Sequence, residues 1–236
     1  MRFELYLESG PQHRKTWVFV PGLAGCTARG PTTEAAIENT RAAILDRIEF
    51  MRRHGEPAPE PEPIELVVAE HVIERKWLGF ETKFFASDRA PLTEEEVRDQ
   101  LRWAGWSREE LVAAARAQTI PMTSKPDAGG RAAAEIVSHV AGSEWSYVSS
   151  LLGTLPGYGP AMAAIERAGP EPWEALAAER EIVLARLTAM TEDELTRVVE
   201  REGKAPRTAR RMLRRLLEHE WEHVLELRAR LEASVG

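Results

Sequence analysis

The 236-residue chain contains a single cysteine, Cys26, so no internal disulfide can form. That count fits a reducing compartment. No apolar run approaches the roughly 20 residues needed to cross a bilayer. The opening stretch MRFELYLESGPQHRKTW alternates apolar and polar residues and lacks the short apolar core of a secretory signal. Basic residues are not in excess either: 31 Lys and Arg stand against 38 Asp and Glu, a net charge of -7. Phosphate affinity rests mainly on basic surface, which argues against non-specific nucleic-acid binding. The expectation is a cytoplasmic protein with neither membrane nor nucleic-acid partners.

Hydrophobic residues make up 43% and charged residues 29%, the balance of an ordinary folded protein. The length accommodates one large domain or two modest ones. Two periodicities divide the chain. In the first third, Phe3, Leu5 and Leu7 alternate with charged residues, and Trp17 to Val20 form a second short run. Pro21-Gly22 stops that run, and Gly25 and Gly30 bracket a third piece, Cys26 to Arg29. The period then becomes helical: Ala36, Ile37, Ala43, Ile44, Ile48 and Met51 recur on one face, with Thr32 or Thr33 as cap and Gly55 as terminator. Alternating proline in GEPAPEPEP, residues 55–63, favours an extended strap, and Ile64 to Ala69 reads as another strand. Trp77, Phe80, Phe84 and Phe85 are expected at a seam between the halves.

From residue 91 onward the pattern is helical. Thr93-x-x-Glu96, Ser107-x-x-Glu110 and Thr191-x-x-Glu194 carry capping-box spacing. Start and stop signals predict helices over 93–118, with a break near Gly105, and over 130–152, 171–189 and 206–232. The expected architecture is an α+β domain at 1–88, a small antiparallel sheet plus a helix. An all-α up-and-down four-helix bundle follows at 91–236.

The strongest chemical signal is His219-Glu220-Trp221-Glu222-His223. Histidines four apart on a helix share a face and lie about 6 Å apart along the axis. With six histidines in the chain the pair alone is a weak motif, and a third ligand must come from elsewhere. His139, in the middle of the 130–152 segment, is the natural candidate. The helical wheel places all three at edges of inward arcs, where bundles build metal sites. Three neutral imidazoles suit zinc, nickel, copper or ferrous iron and leave coordination positions open. Glu220 falls within the inward arc. It can orient a ligand histidine, serve as a fourth ligand, act as a base, or pair with an arginine of a neighbouring helix. Arg207, Arg210, Arg211, Arg214 and Arg215 are expected on a solvated face. GTLPGYGP, residues 153–160, reads as a flexible connection, Cys26 as a packing residue, and His13, His54 and His71 as surface or turn residues.

The segments AAAEIVSHVAGSEWSY and TARRMLRRLLEHEWEHVLEL resemble the DinB-like (damage-inducible) metal-binding bundle family. That family sets one histidine in the second helix and an H-x-x-x-H pair about 80 residues later, as His139 and His219 stand here. The resemblance covers roughly residues 91–233. It implies a divalent transition metal on His139, His219 and His223, zinc or nickel first, manganese or iron next. It further implies a homodimer and activation of a low-molecular-weight thiol by a metal-dependent transferase, or else a hydrolase. WVFVPGLAGCTARGPTTEAAIENTRAAILDRIEFM, with the proline-rich stretch after it, is similar to the HicB-like antitoxin fold. That likeness implies the alternative of a non-enzymatic, partner-binding protein with a structural or vestigial metal.

Overall fold

A computed structural model describes the chain except for Arg14, Pro59, Pro61, Glu62, residues 74–83, Ala128 and Gly236. Two compact units emerge: residues 1–90 with 198–206, and residues 91–197 with 207–236. Trp77 and Phe80, expected at a seam, lie outside the described residues, as does part of the proline-rich stretch.

In the first unit, strands β1 (Arg2–Ser9), β2 (Thr16–Phe19) and β3 (Thr27–Gly30) precede helix α1 (Thr33–Arg53) and strand β4 (Glu65–Ile73). The sheet order is β3-β2-β1-β4. Alternation along β1 buries Phe3, Leu5 and Leu7 in one core with Val18, Val20, Cys26, Ala36, Ile44 and Ile48. Burying a side chain of this size contributes about 1.5–3 kcal/mol, so this face sets the register. Between β2 and β3 the chain turns tightly: Leu23 N–H donates to Val20 O and Cys26 N–H to Leu23 O, with Gly25 at φ 81. Thr32 caps α1 by accepting from Ala35 N–H. Phe85 is buried within this unit, its ring 5.3 Å from that of Tyr6 and 5.6 Å from that of Phe19.

The sheet corrects one expectation: it is mixed. Strands β1, β2 and β3 are antiparallel neighbours, but β4 lies parallel to β1, with a bulge where the register slips between Leu5 and Tyr6. A parallel neighbour requires a crossover connection, and α1 provides it.

The second unit contains helices α2 (Glu94–Arg116), α3 (Ala133–Leu152), α4 (Tyr158–Ala168), α5 (Trp173–Thr188), α6 (Glu192–Thr196) and α7 (Ala209–Val235). The long helices α2, α3, α5 and α7 pack on one another, matching the four expected segments; α4 and α6 are additional. Helix α2 runs unbroken through Gly105, because one glycine costs only about 1 kcal/mol and the buried face on either side outweighs it. Ser107 therefore caps nothing and lies buried in mid-helix. The glycine-rich stretch is not a loose connection: α4 starts within it, and the Tyr158 hydroxyl donates to Ala141 O of α3 at 2.6 Å. Thr191 and Glu194 do form a capping box, but on the five-residue α6. Between α6 and α7, strands β5 (Val199–Arg201) and β6 (Lys204–Arg207) form a hairpin where the sequence suggested only a run into the last helix. Gly203, at φ 66, supplies the turn conformation. Residues 198–206 belong to the first unit, where Arg89 and Glu200 pair at 2.7 Å.

The connection from β3 to α1 rests on Gly30. A Cβ at Gly30 would lie 2.5 Å from Ala36 N, inside any tolerated contact and against backbone. Gly30→Ala is expected to destabilise the protein by about 1–3 kcal/mol in urea denaturation followed by circular dichroism. An unchanged unfolding midpoint would contradict this packing.

Candidate metal centre

Helices α3 and α7 bring the three histidines together. His139 lies near the middle of α3; His219 and His223 lie one turn apart on α7. Their ring centroids stand 5.0 Å (139 to 219), 5.2 Å (139 to 223) and 4.8 Å (219 to 223) apart. The Nε2 atoms of His139 and His219 are 3.2 Å apart. One nitrogen from each ring falls within 4.8 Å of the other two, and no other such group converges among the described residues. Two imidazole nitrogens on one tetrahedral ion, each at about 2.0–2.1 Å, stand roughly 3.3 Å from each other. The closest pair already matches that separation, and the third nitrogen needs only a side-chain adjustment.

His219 and His223 are buried and His139 is half-buried. Burial in the first place, with the positive charge of Arg131, pushes His139 down to about 4. At neutral pH it is therefore uncharged and offers a lone pair on one ring nitrogen. Glu226, one turn beyond His223, sits 2.8 Å from His223 Nδ1, which leaves Nε2 of that ring for an ion. That hydrogen bond, followed by Coulomb attraction to His223 and Arg230, depresses the Glu226 carboxyl to about 2. The Tyr147 ring lies 5.8 Å from the His219 ring, edge to face. Glu226 escaped the sequence reading, although H-x-x-x-H-x-x-E carries the spacing that puts it against His223.

Against this geometry stands one match to a family model: the DinB superfamily, over residues 33–227. The chain belongs to the DinB superfamily. No curated protein and no solved structure matches it. Members of the DinB superfamily typically bind metal, and the three histidines are the group among the described residues that could hold one.

Glu220 of this DinB-superfamily chain lies apart from the imidazoles. One of its oxygens accepts from Arg108 Nε at 2.5 Å and the other pairs with Arg180. Both arginines also engage Glu144, Arg108 at 2.6 Å and Arg180 at 2.5 Å, and Glu179 lies 3.6 Å from Arg108. Of the roles open to Glu220 in the sequence, pairing with arginines of neighbouring helices is the one its contacts display. The arginine cluster at the start of α7 corrects another expectation. Arg214 and Arg215 are buried and share Glu218, each at 2.8 Å, and Arg210 pairs with Glu96 at 2.9 Å. Arg207 donates to Ser150 O at 2.6 Å. The wheel put these residues opposite the apolar arc, but α7 is enclosed on nearly all sides at that level.

In the five-charge group, three carboxylates face two guanidiniums. The two arginines outweigh burial and hold Glu220 below the usual carboxylate range. Burial first, and the Glu144 carboxylate second, push Glu179 up to about 9. A proton on Glu179 leaves the group neutral. Because that value lies above the unfolded value of 4.5, the associated stability is complete below the unfolded value and is lost as pH rises through the folded one. Glu179→Gln imitates the protonated form at every pH. Unfolding free energy of the wild type, measured in urea, should therefore fall relative to Glu179→Gln between about pH 5 and about pH 9. Parallel pH profiles would count against a protonated Glu179.

Proposed function

We propose that the second unit holds one divalent transition metal, zinc or nickel, through His139, His219 and His223, and that its open coordination positions receive a small-molecule thiol. The convergence of three largely enclosed imidazole nitrogens within 4.8 Å carries this reading. The donor set fits such an ion: all-nitrogen ligation suits a borderline transition metal and disfavours magnesium or calcium. A metal held there would supply a Lewis acid that lowers the pKa of a bound thiol or water. The chain's own residues contribute the rest. Glu226 fixes the orientation of His223, and Tyr147 packs against His219. Glu144 and Glu220 anchor the two histidine-bearing helices to Arg108 of α2 and Arg180 of α5. In this reading Glu220 positions a helix and Glu226 a ligand, and the reaction class is metal-dependent group transfer.

One observation favours a second reading, a metal that serves structure alone. Glu220 is engaged by two arginines and Glu226 by His223 and Arg230, so neither of these carboxylates is open to act as a base. The first unit's strand–turn–strand–helix order supports its reading as a HicB-like platform, which suits a partner-binding protein.

Elemental analysis of untagged protein tests the site. We expect about one equivalent of a transition metal in the wild type and none in a folded His219→Ala/His223→Ala variant; a metal-free wild type after incubation with zinc and with nickel would refute it. Glu226→Gln should weaken metal affinity about 10–100-fold without loss of fold. Titrating nickel-loaded protein with a low-molecular-weight thiol then separates the two readings. A sulfur-to-nickel charge-transfer band supports the transferase, and an unchanged spectrum supports the structural metal.

A further inference from the structure

The first unit contains a cleft built from residues that the metal site does not use. Lys15, Thr16, Trp17, Arg29, Gly30 and Pro31 line a volume of about 400 Å³. That lies in the range of small-molecule sites. Among the described residues its lining carries two cations, Lys15 and Arg29, and no carboxylate.

The β2–β3 register sets Trp17 directly opposite Arg29 and Thr16 opposite Gly30. Paired residues on adjacent strands project from the same face, and the Arg29 guanidinium accordingly stands 5.6 Å from the centre of the Trp17 ring. Arg29 and Lys15 are exposed, and Trp17 is half-buried. A guanidinium over an indole face gives a polarisable, positively charged stacking surface.

Both rims of the cleft are held by backbone with few alternatives. Lys15 sits at φ 55, a left-handed conformation that non-glycine residues seldom adopt. Its N–H donates to Pro31 O at 3.1 Å, tying the rim before β2 to the rim after β3. Gly30, on the far rim, admits no Cβ because Ala36 N lies in the way. Thr16 is fully buried, with its hydroxyl bonded to those of Ser9 at 2.7 Å and Thr33 at 3.0 Å. These backbone ties join the two rims of the cleft, which lowers the ordering cost of binding.

We propose that this cleft binds a small planar anion: an aromatic ring carrying a phosphate or a carboxylate. The ring stacks on the Trp17–Arg29 surface, and the anionic group pairs with Arg29 and Lys15. A neutral ring would lose the charge-assisted hydrogen bonds, and an anion without a ring would lose the stacking.

Isothermal titration of the full chain with naphthoate, and separately with adenosine monophosphate, tests the proposal. At least one of the two should bind with a stoichiometry near one. Tighter binding of the nucleotide assigns the phosphate, and tighter binding of naphthoate assigns the carboxylate. Arg29→Gln and Lys15→Gln should each weaken that binding about tenfold or more, as removal of a hydrogen bond to a charged group does. Arg2→Gln, at the opposite end of β1, should leave affinity unchanged, and neutral naphthamide should bind at least tenfold more weakly than naphthoate if the carboxylate is preferred. The substituted side chains are exposed, so melting curves should overlay that of the wild type. No saturable binding of either probe, or affinities indifferent to Arg29→Gln and Lys15→Gln, would overturn the proposal.

Discussion

Five ionisable side chains enclosed between helices, four of them charged while Glu179 holds its proton, impose the strictest condition on the second unit. Arg108 of α2, Glu144 of α3, Glu179 and Arg180 of α5, and Glu220 of α7 meet there, so every long helix contributes at least one member. Each ion costs several kcal/mol to desolvate, and only close pairing offsets that. The arrangement therefore adds little net stability over an apolar core. It does penalise alternatives heavily, because a helix that slides or rotates strands a buried charge. Apolar ridges would tolerate such shifts at lower cost.

The same two helices that carry the histidines carry Glu144 and Glu220. Glu220 follows His219 directly, and Glu144 follows His139 by little more than a turn. Fixing these carboxylates on Arg108 and Arg180 therefore fixes the separation of α3 and α7 and the convergence of the imidazoles. His139, held near 4 by burial, is uncharged at neutral pH and approaches His219 to 3.2 Å without charge repulsion. The charge group and the histidine cluster are neighbouring parts of one design: the first locates helices, and the second presents nitrogen lone pairs between them.

Much of this was legible in the residues. Alternation at Phe3, Leu5 and Leu7 and the helical spacing from Ala36 to Met51 identified β1 and α1, because one buried face dominates each. Thr93 and Glu96 marked the start of α2 through the same reciprocal hydrogen bonds the structure contains. His139, His219 and His223 were singled out by spacing and by family resemblance, and the fold brings them together. What escaped has physical causes. Hydrophobic periodicity is blind to an ionic core, so Arg108 went unnoticed and Arg214 and Arg215 were assigned to solvent. The hairpin of β5 and β6 has short strands of mostly polar residues, with Gly203 as its main signal. The parallel placement of β4 depends on a crossover, and no local pattern encodes that. Helix α4 opens in a stretch of Gly and Pro, where local propensity points the other way and the anchor of Tyr158 on Ala141 decides.

X-ray absorption at the metal edge of zinc- or nickel-loaded protein reads the ligand set of the bound ion itself. Three imidazole nitrogens at about 2.0–2.1 Å and no protein sulfur are expected, with one imidazole lost in His139→Ala. An ion ligated mainly by carboxylate oxygens, or a spectrum unchanged by His139→Ala, would place the metal elsewhere and contradict the three-histidine site.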